Sequence, residues 1–190
     1  MASSINASTT SGIVTSADNS GTLQLQSGGT TIMTITSTGV TTQIGVPTFQ
    51  AYLNSNQTVT KNTWTKVQCN TKEWDTASAY DNTTNYRFQP TVAGYYQVTG
   101  NFSVEPSATT FTRLLCALYK NGAEYKLCGD IVISGTAYSG NNIICSAMVY
   151  LNGSTDYIEM WGYGTSATAT FVYRGTQAST YFSAALIRSA

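Results

Sequence analysis

Apolar and polar residues alternate along this chain in short runs, and no segment sustains the 3.6-residue period of a helix. Near the start the alternation is plain in Thr22-Leu23-Gln24-Leu25-Gln26, in Thr31-Ile32-Met33-Thr34-Ile35-Thr36 and again over residues 40–44. A period of two places neighbouring side chains on opposite faces, so each run predicts a strand. Ser27-Gly28-Gly29 and Thr38-Gly39 supply the turns between them. Strands this short carry too few apolar side chains to repay the entropy of ordering their backbones. Residues 1–46 are therefore expected to form a Ser/Thr/Gly-rich β-strand arm that needs an outside cover, either copies of itself in neighbouring subunits or a foreign surface. Leu23, Leu25, Ile32 and Ile35 are the side chains expected to anchor it.

The texture changes at Gly45-Val46-Pro47. Beyond it, aromatic and β-branched residues recur at alternating positions, interrupted by Asn54-Ser55-Asn56, Asp81-Asn82, Asn121-Gly122, Ser139-Gly140-Asn141 and Asn152-Gly153. Many short strands spaced roughly 8–12 residues apart predict a sandwich, barrel or jelly roll over residues 47–190. Asn121-Gly122 and Asn152-Gly153 are predicted hairpin turns, because both residue types accept positive φ. Within residues 180–187 one strand face reads Phe182, Ala184, Leu186 and the other Tyr181, Ser183, Ala185, Ile187. Neither face suits water, so the strand needs a cover on each side, and a neighbouring subunit is one way to supply the second.

Composition narrows the function. Charged residues are only 9% of the 190, well below the roughly 25% usual for soluble domains, and the net charge is zero. The nine basic residues are scattered, which argues against nucleic acid and anionic lipid as partners. No apolar run approaches the ~18 residues of a membrane-spanning helix, and Met1-Ala2-Ser3-Ser4-Ile5-Asn6 lacks the basic and apolar regions of an export signal. Cys69, Cys116, Cys128 and Cys145 lie far apart with no Cys-x-x-Cys spacing, so free core thiols are expected, with one pair able to bridge later in an oxidising setting. The absence of histidine removes Ser-His-Asp and Cys-His catalysis and histidine-ligated metals together, and an enzyme is not expected. Glu73, Asp75 and Asp81 are the one group of hard oxygen ligands that suggests calcium; otherwise no cofactor is expected.

One stretch carries a family likeness. Cys69-Asn70-Thr71-Lys72-Glu73-Trp74-Asp75, then Tyr80, Phe88-Gln89-Pro90 and Gly94-Tyr95-Tyr96-Gln97-Val98, resembles the signature of the complement C1q-like, tumour-necrosis-factor-like family. Asp75, Tyr80, Phe88, Pro90, Gly94 and Tyr96 fall at or within one residue of the matching positions, while Val98 and Cys69 stand where the family has phenylalanines. Leu118-Tyr119-Lys120-Asn121-Gly122, Asp156-Tyr157-Ile158-Glu159-Met160 and Tyr181-Phe182-Ser183-Ala184-Ala185-Leu186 resemble three further family segments in the right order. The resemblance implies an all-β, ten-stranded jelly roll that trimerises about its long axis. Trimer contacts are accordingly expected at Tyr96, Tyr181, Ser183, Ala185 and Ile187.

Residues 17–31 are similar in composition to the strand repeats of phage fibre and virion-surface proteins. Together the two likenesses imply a homotrimeric bacteriophage capsid decoration or head-fibre protein, made in the host bacterial cytoplasm and displayed on the capsid exterior. Its arm is expected to hold the major capsid protein. A short tail-fibre tip that binds host cell-surface glycans is the alternative, and a secreted C1q-like lectin a distant third. Tyr138, Tyr163 and Tyr173 lie beside Gly/Ser/Thr turns and are the expected distal-loop receptor contacts, since tyrosine suits a surface that is apolar at one end and wet at the other.

Overall fold

The structure is a computed structural model and describes residues 3–8, 10, 12–16, 19–105, 111–132 and 141–190. The chain divides into two compact units, residues 1–46 and 47–190.

The first unit holds β1 (Ser3–Ser8), β2 (Gly12–Ser16), β3 (Leu23–Ser27), β4 (Thr30–Ile35) and β5 (Thr41–Gln43) in one sheet of order β2-β1-β3-β4-β5. β1 and β3 run parallel and the other pairs antiparallel. The register sets Ile5 beside Leu25 and Leu25 beside Met33, with Leu23 beside Ile35 in the next row. One face is thus an apolar stripe. No described side chain of this unit is buried, so the sheet has a greasy face without a core of its own.

The second unit contains β6 (Thr48–Tyr52), β7 (Gln57–Thr60), β8 (Thr65–Lys66), β9 (Thr71–Asp75), β10 (Tyr80–Asp81), β11 (Arg87–Phe88), β12 (Gly94–Ser103), β13 (Phe111–Lys120), β14 (Ala123–Val132), β15 (Asn142–Leu151), β16 (Ile158–Ser166), β17 (Thr170–Tyr173) and β18 (Tyr181–Ser189). Thirteen strands replace the expected ten because several two-residue pairings extend the sheets at their margins. The two main layers are β15-β12-β18-β6-β9 and β10-β11-β16-β13-β14, with β8 paired to β16 and a separate β7–β17 ribbon. Both layers are antiparallel throughout.

Aromatic rings fill the space between the layers in two clusters. Phe49 stacks on Tyr80 at 4.5 Å and on Phe88 at 4.7 Å, with Phe182 edge-on to it and Tyr96 edge-on to Phe88. Elsewhere Phe102, Phe111, Phe171 and Tyr173 form the second. Rings of this size bury large apolar areas and add about 0.5–1.5 kcal/mol per well-oriented pair. β13 is buried on both faces, Leu114, Cys116 and Leu118 toward the core and Leu115 and Ala117 away from it. A third aromatic group lies outside these two: Tyr119 stacks on Trp161 at 4.6 Å, and Trp64 contacts both Tyr119 and Tyr163.

The two predicted hairpins part company. Asn121 (φ 55°) and Gly122 (φ 81°) form a two-residue turn between β13 and β14, as expected of a left-handed pair. Asn152-Gly153 instead lies on the crossing from β15 in one layer to β16 in the other. There the Asn152 side-chain oxygen accepts from the backbone N–H groups of Ser154, Thr155 and Asp156, which turns the chain without pairing strands.

The cysteines also split. Cys69 and Cys116 are free and buried, whereas Cys128 and Cys145 are bridged. The expectation of four free thiols is corrected for this pair, because β14 and β15 are the facing edge strands of the two layers and bring the two sulfurs together.

Candidate functional site

The surface that stands out is the outward face of the β15-β12-β18-β6-β9 layer. Register places its side chains in four rows: Ile144, Asn101, Tyr181, Tyr52; then Ser146, Thr99, Ser183, Gln50, Trp74; then Met148, Gln97, Ala185, Thr48; then Tyr150, Tyr95, Arg188. Ser183 and Ala185 give β18 a low centre, flanked by bulky Ile144, Met148 and Tyr150 on one side and Tyr52 and Trp74 on the other. Ile144, Met148, Tyr150, Tyr95, Trp74 and Ile187 are all exposed. Arg188 is the one charged residue in the four rows, with Glu73 beside Gln50 at the β9 end of the face.

Polar groups on this face are tied to one another. Gln97 Nε2 donates to Ser146 Oγ at 2.9 Å, Trp74 Nε1 donates to Thr48 Oγ1 at 2.9 Å, and Gln50 Nε2 donates to Glu73 Oε1 at 2.9 Å. Side chains paired in this way lose less when water leaves the face. The adjoining edge strand β14 is exposed along nearly all of its ten residues and shows Tyr125, Leu127 and Val132. Long open edges with apolar side chains are usually covered in soluble proteins.

Of the residues expected at a trimer contact, Tyr181, Ser183 and Ala185 are half-buried and Ile187 is 59% exposed, all on the outward side of β18. Tyr96 does not belong with them. It is fully buried, its ring sits against Phe88, and its hydroxyl donates to Val92 O at 2.7 Å; burial pushes its pKa up to about 12. Even positions of β12 face the core, and Tyr96 is one of them.

The expected receptor tyrosines are not brought together. Tyr138 lies outside the described residues. Tyr173 is completely buried between Phe102 and Phe171, so it is a core residue and not a loop contact. Tyr163 belongs to strand β16, where it packs on Trp64 at 5.6 Å. Gly164-Thr165-Ser166 and Gly175-Thr176 resemble the turns that the sequence suggests beside these two tyrosines, although the alternation of β16 and β17 runs through Tyr163 and Tyr173.

The carboxylates suggested for calcium are each engaged elsewhere. Burial alone would raise the Asp75 carboxyl, yet donors from Lys72 and from the backbone N–H of Tyr80 and Ala79 hold it below the usual range. Asp81 is held far down by the N–H groups of Thr84 and Thr83 and by the Asn85 side chain, and Glu73 accepts from Gln50. No group of three such ligands stands ready for a metal ion among the described residues. In the arm, Leu23, Leu25 and Ile35 share the apolar face, whereas Ile32 sits at the register shift without a β3 partner in the ladder and is exposed. Ile5 and Met33 take its place on the stripe; both follow from the same period-two pattern once the register is known. Sequence reasoning also missed Ile144, Met148 and Tyr150. The run Asn142-Ile143-Ile144-Cys145-Ser146-Ala147-Met148-Val149-Tyr150-Leu151 is apolar on both faces, the same signal that singled out β18.

The second unit is a jelly roll of the tumour-necrosis-factor type. Solved structures with this fold include the Eiger TNF from S. frugiperda, at TM-score 0.50 and 12% identity, covering 76% of this chain and 93% of that one. Murine APRIL at pH 5.0 aligns at TM-score 0.51 and 8% identity over 75% of this chain and 99% of that one. The same protein at pH 8.5 aligns equally well, with 9% identity. At such identities the likeness is one of fold alone. No family model matches the chain, and no curated protein matches it in sequence.

Proposed function

We propose that the chain is a homotrimeric structural protein of a bacteriophage virion surface, a capsid decoration or head-fibre protein and not an enzyme. In this reading the arm grips the major capsid protein on the particle's exterior and the jelly roll stands outward as a three-fold knob. The observation that carries it is the pairing of two unfinished apolar surfaces in one chain. The outward face of β18 and its neighbours has one charge, Arg188, in four rows with Glu73 at its β9 end, and the exposed β14 edge beside it shows Tyr125, Leu127 and Val132 between the charged Glu124, Lys126 and Asp130. A face and an edge are different patches, so contact between them is heterologous, and such a contact closes into a ring when its rotation permits. Three copies then bury every face and every β14 edge. The arm's one-sided sheet supplies the second surface, and a capsid is a large, repetitive cover for it. Cytoplasmic synthesis fits if Cys128 and Cys145 join after release from the host.

Light scattering on the purified full chain tests the assembly. Three times the 20.3 kDa chain mass is expected, falling to one chain mass in Ser183→Arg or Ala185→Glu, whose charges would be buried at the contact. A wild-type monomer rules the reading out. Labelling of intact particles with antibody to the jelly roll then separates heads from tails; a tail-only signal transfers the protein to the tail-fibre alternative.

A further inference from the structure

On the margin where β10 and β11 pair lies a cleft of about 350 Å³, within the range of ~300–1,000 Å³ for small-ligand sites. Ser78, Asp81, Asn85, Arg87, Thr91 and Ser154 line it, together with Gln89. β10 and β14 are opposite edges of their layer, so the cleft is remote from the edge assigned to the trimer contact.

Arg87 is the residue that gives the cleft its chemistry. Its guanidinium lies over the Tyr157 ring, 4.2 Å from the centroid, and it forms no ion pair and donates no hydrogen bond to any described residue. Other lysines of this unit are committed: the half-buried Lys66 to Glu159 and Lys120 to Asp156, and the exposed Lys72 to Asp75. Asp81 is directly across the β10–β11 ladder from Arg87, yet its carboxylate accepts five hydrogen bonds from Thr83, Thr84 and Asn85 instead. A half-buried guanidinium fixed by an aromatic ring keeps a fork of donors matched to a planar carboxylate.

The neutral groups around it complete the pattern. Gln89 is held by its Nε2 bond to Ser154 O at 3.0 Å, which leaves its side-chain oxygen without a described donor. The hydroxyls of Ser78 and Thr91 make no hydrogen bond with a described residue. Ser78 (φ 50°) and Tyr86 (φ 49°) both hold a left-handed backbone, unfavourable for side chains with a Cβ, at the two flanks of the cleft. The Asp81 charge disfavours a ligand group with two negative charges, such as a phosphate monoester, while a single carboxylate with hydroxyls on the same small ring matches Arg87, Ser78, Gln89 and Thr91.

We propose that this cleft is a binding site for an acidic monosaccharide unit, its carboxylate on Arg87 and its hydroxyls on Ser78, Gln89 and Thr91. The site does not depend on the trimer or on the virion reading, because all of its residues come from one chain.

Saturation-transfer NMR on the purified full chain tests it, with methyl glucuronide and N-acetylneuraminic acid as probes and their methyl esters and methyl glucoside as controls. Transfer to at least one acid is expected at millimolar concentration, with affinity about ten- to a hundredfold weaker for its ester and for Arg87→Met. The ester arm uses unmodified protein, so it stands even if Arg87→Met unfolds. Equal binding of acid and ester, binding unchanged in a folded Arg87→Met, or no transfer to either acid would each overturn the site. Chain mass by light scattering is read independently, so loss of the sugar site and loss of the trimer are distinguishable results.

Discussion

Asn121 and Asp156, thirty-five residues apart, are joined at 2.7 Å, with Asn121 Nδ2 donating to Asp156 Oδ1. Asn121 Oδ1 in turn accepts from the backbone N–H of Tyr157, and Lys120 Nζ pairs with Asp156 Oδ2 at 2.9 Å. The β13–β14 hairpin and the start of β16 are thereby clamped at one point. Asp156 is 8% exposed, so its loss leaves donors stranded out of water. Asn121→Ala and Asp156→Ala are each expected to lower stability by about 1–3 kcal/mol, with the double variant well short of the sum. Urea unfolding of the four proteins checks this, and full additivity would count against the clamp.

Asp81 and Asp156 release protons more readily in the folded chain than free aspartate does. For Asp81 the cause is the Thr84 and Thr83 backbone donors; for Asp156 it is the Asn121 side chain and then Lys120. The unfolded chain therefore binds more protons at low pH. Their stabilisation is complete above the ordinary aspartate pKa of about 3.9 and is lost as pH falls through the lower folded values. With no histidine in the sequence, Tm is expected to stay level between about pH 5 and 8 and to fall below about pH 4. Asp81→Asn should start lower and show a shallower acid slope in a pH series of thermal melts.

Tyr173 carries its hydroxyl into the core, where no described group meets it. A buried hydroxyl without a partner costs about 1–3 kcal/mol, so Tyr173→Phe is expected to leave stability unchanged or raise it by about 1 kcal/mol. A loss in urea unfolding would mean that the hydroxyl has an internal partner, such as a trapped water.

The Cys128–Cys145 bridge closes a span of 17 residues between the edges of the two layers. Chain-entropy arguments assign about 3 kcal/mol to a loop of this length. Reduced protein, or the Cys128→Ser/Cys145→Ser double variant, is expected to melt several degrees lower; the double variant should then be insensitive to reductant, while Cys69→Ala should keep the wild-type drop. Calorimetry with and without dithiothreitol distinguishes these outcomes.

Much of the jelly roll was legible because its signature residues are themselves the joints of the fold. Asp75 caps the turn into β10 through the N–H groups of Ala79 and Tyr80; Tyr80 and Phe88 stack on Phe49; a Cβ on Gly94 would collide with the Arg188 carbonyl oxygen. Asn121 and Asp156, found in separate motifs, turn out to be partners. These residues report architecture and nothing about ligands. The outward position of Tyr181, Ser183 and Ala185 followed from simple alternation in β18. Tyr96 and Tyr173 were misassigned because alternation gives two faces without saying which is inside. That choice depends on the opposing layer. Arg87 carried no signal at all, since its isolation is a matter of which carboxylates fold beside it and are already engaged.

The first and last strands of the jelly roll are neighbours. Thr48 of β6 lies opposite Ala185 of β18, and Leu186 N donates to Pro47 O. A peptide fused after residue 190 would therefore emerge on the side of the jelly roll where Pro47 enters it. The exposed turn at residues 167–169, where β16 ends opposite the beginning of β13, sits at the far pole. Foreign epitopes grafted there would lie at the opposite end of the jelly roll from Pro47, which makes that turn the preferred platform for display engineering.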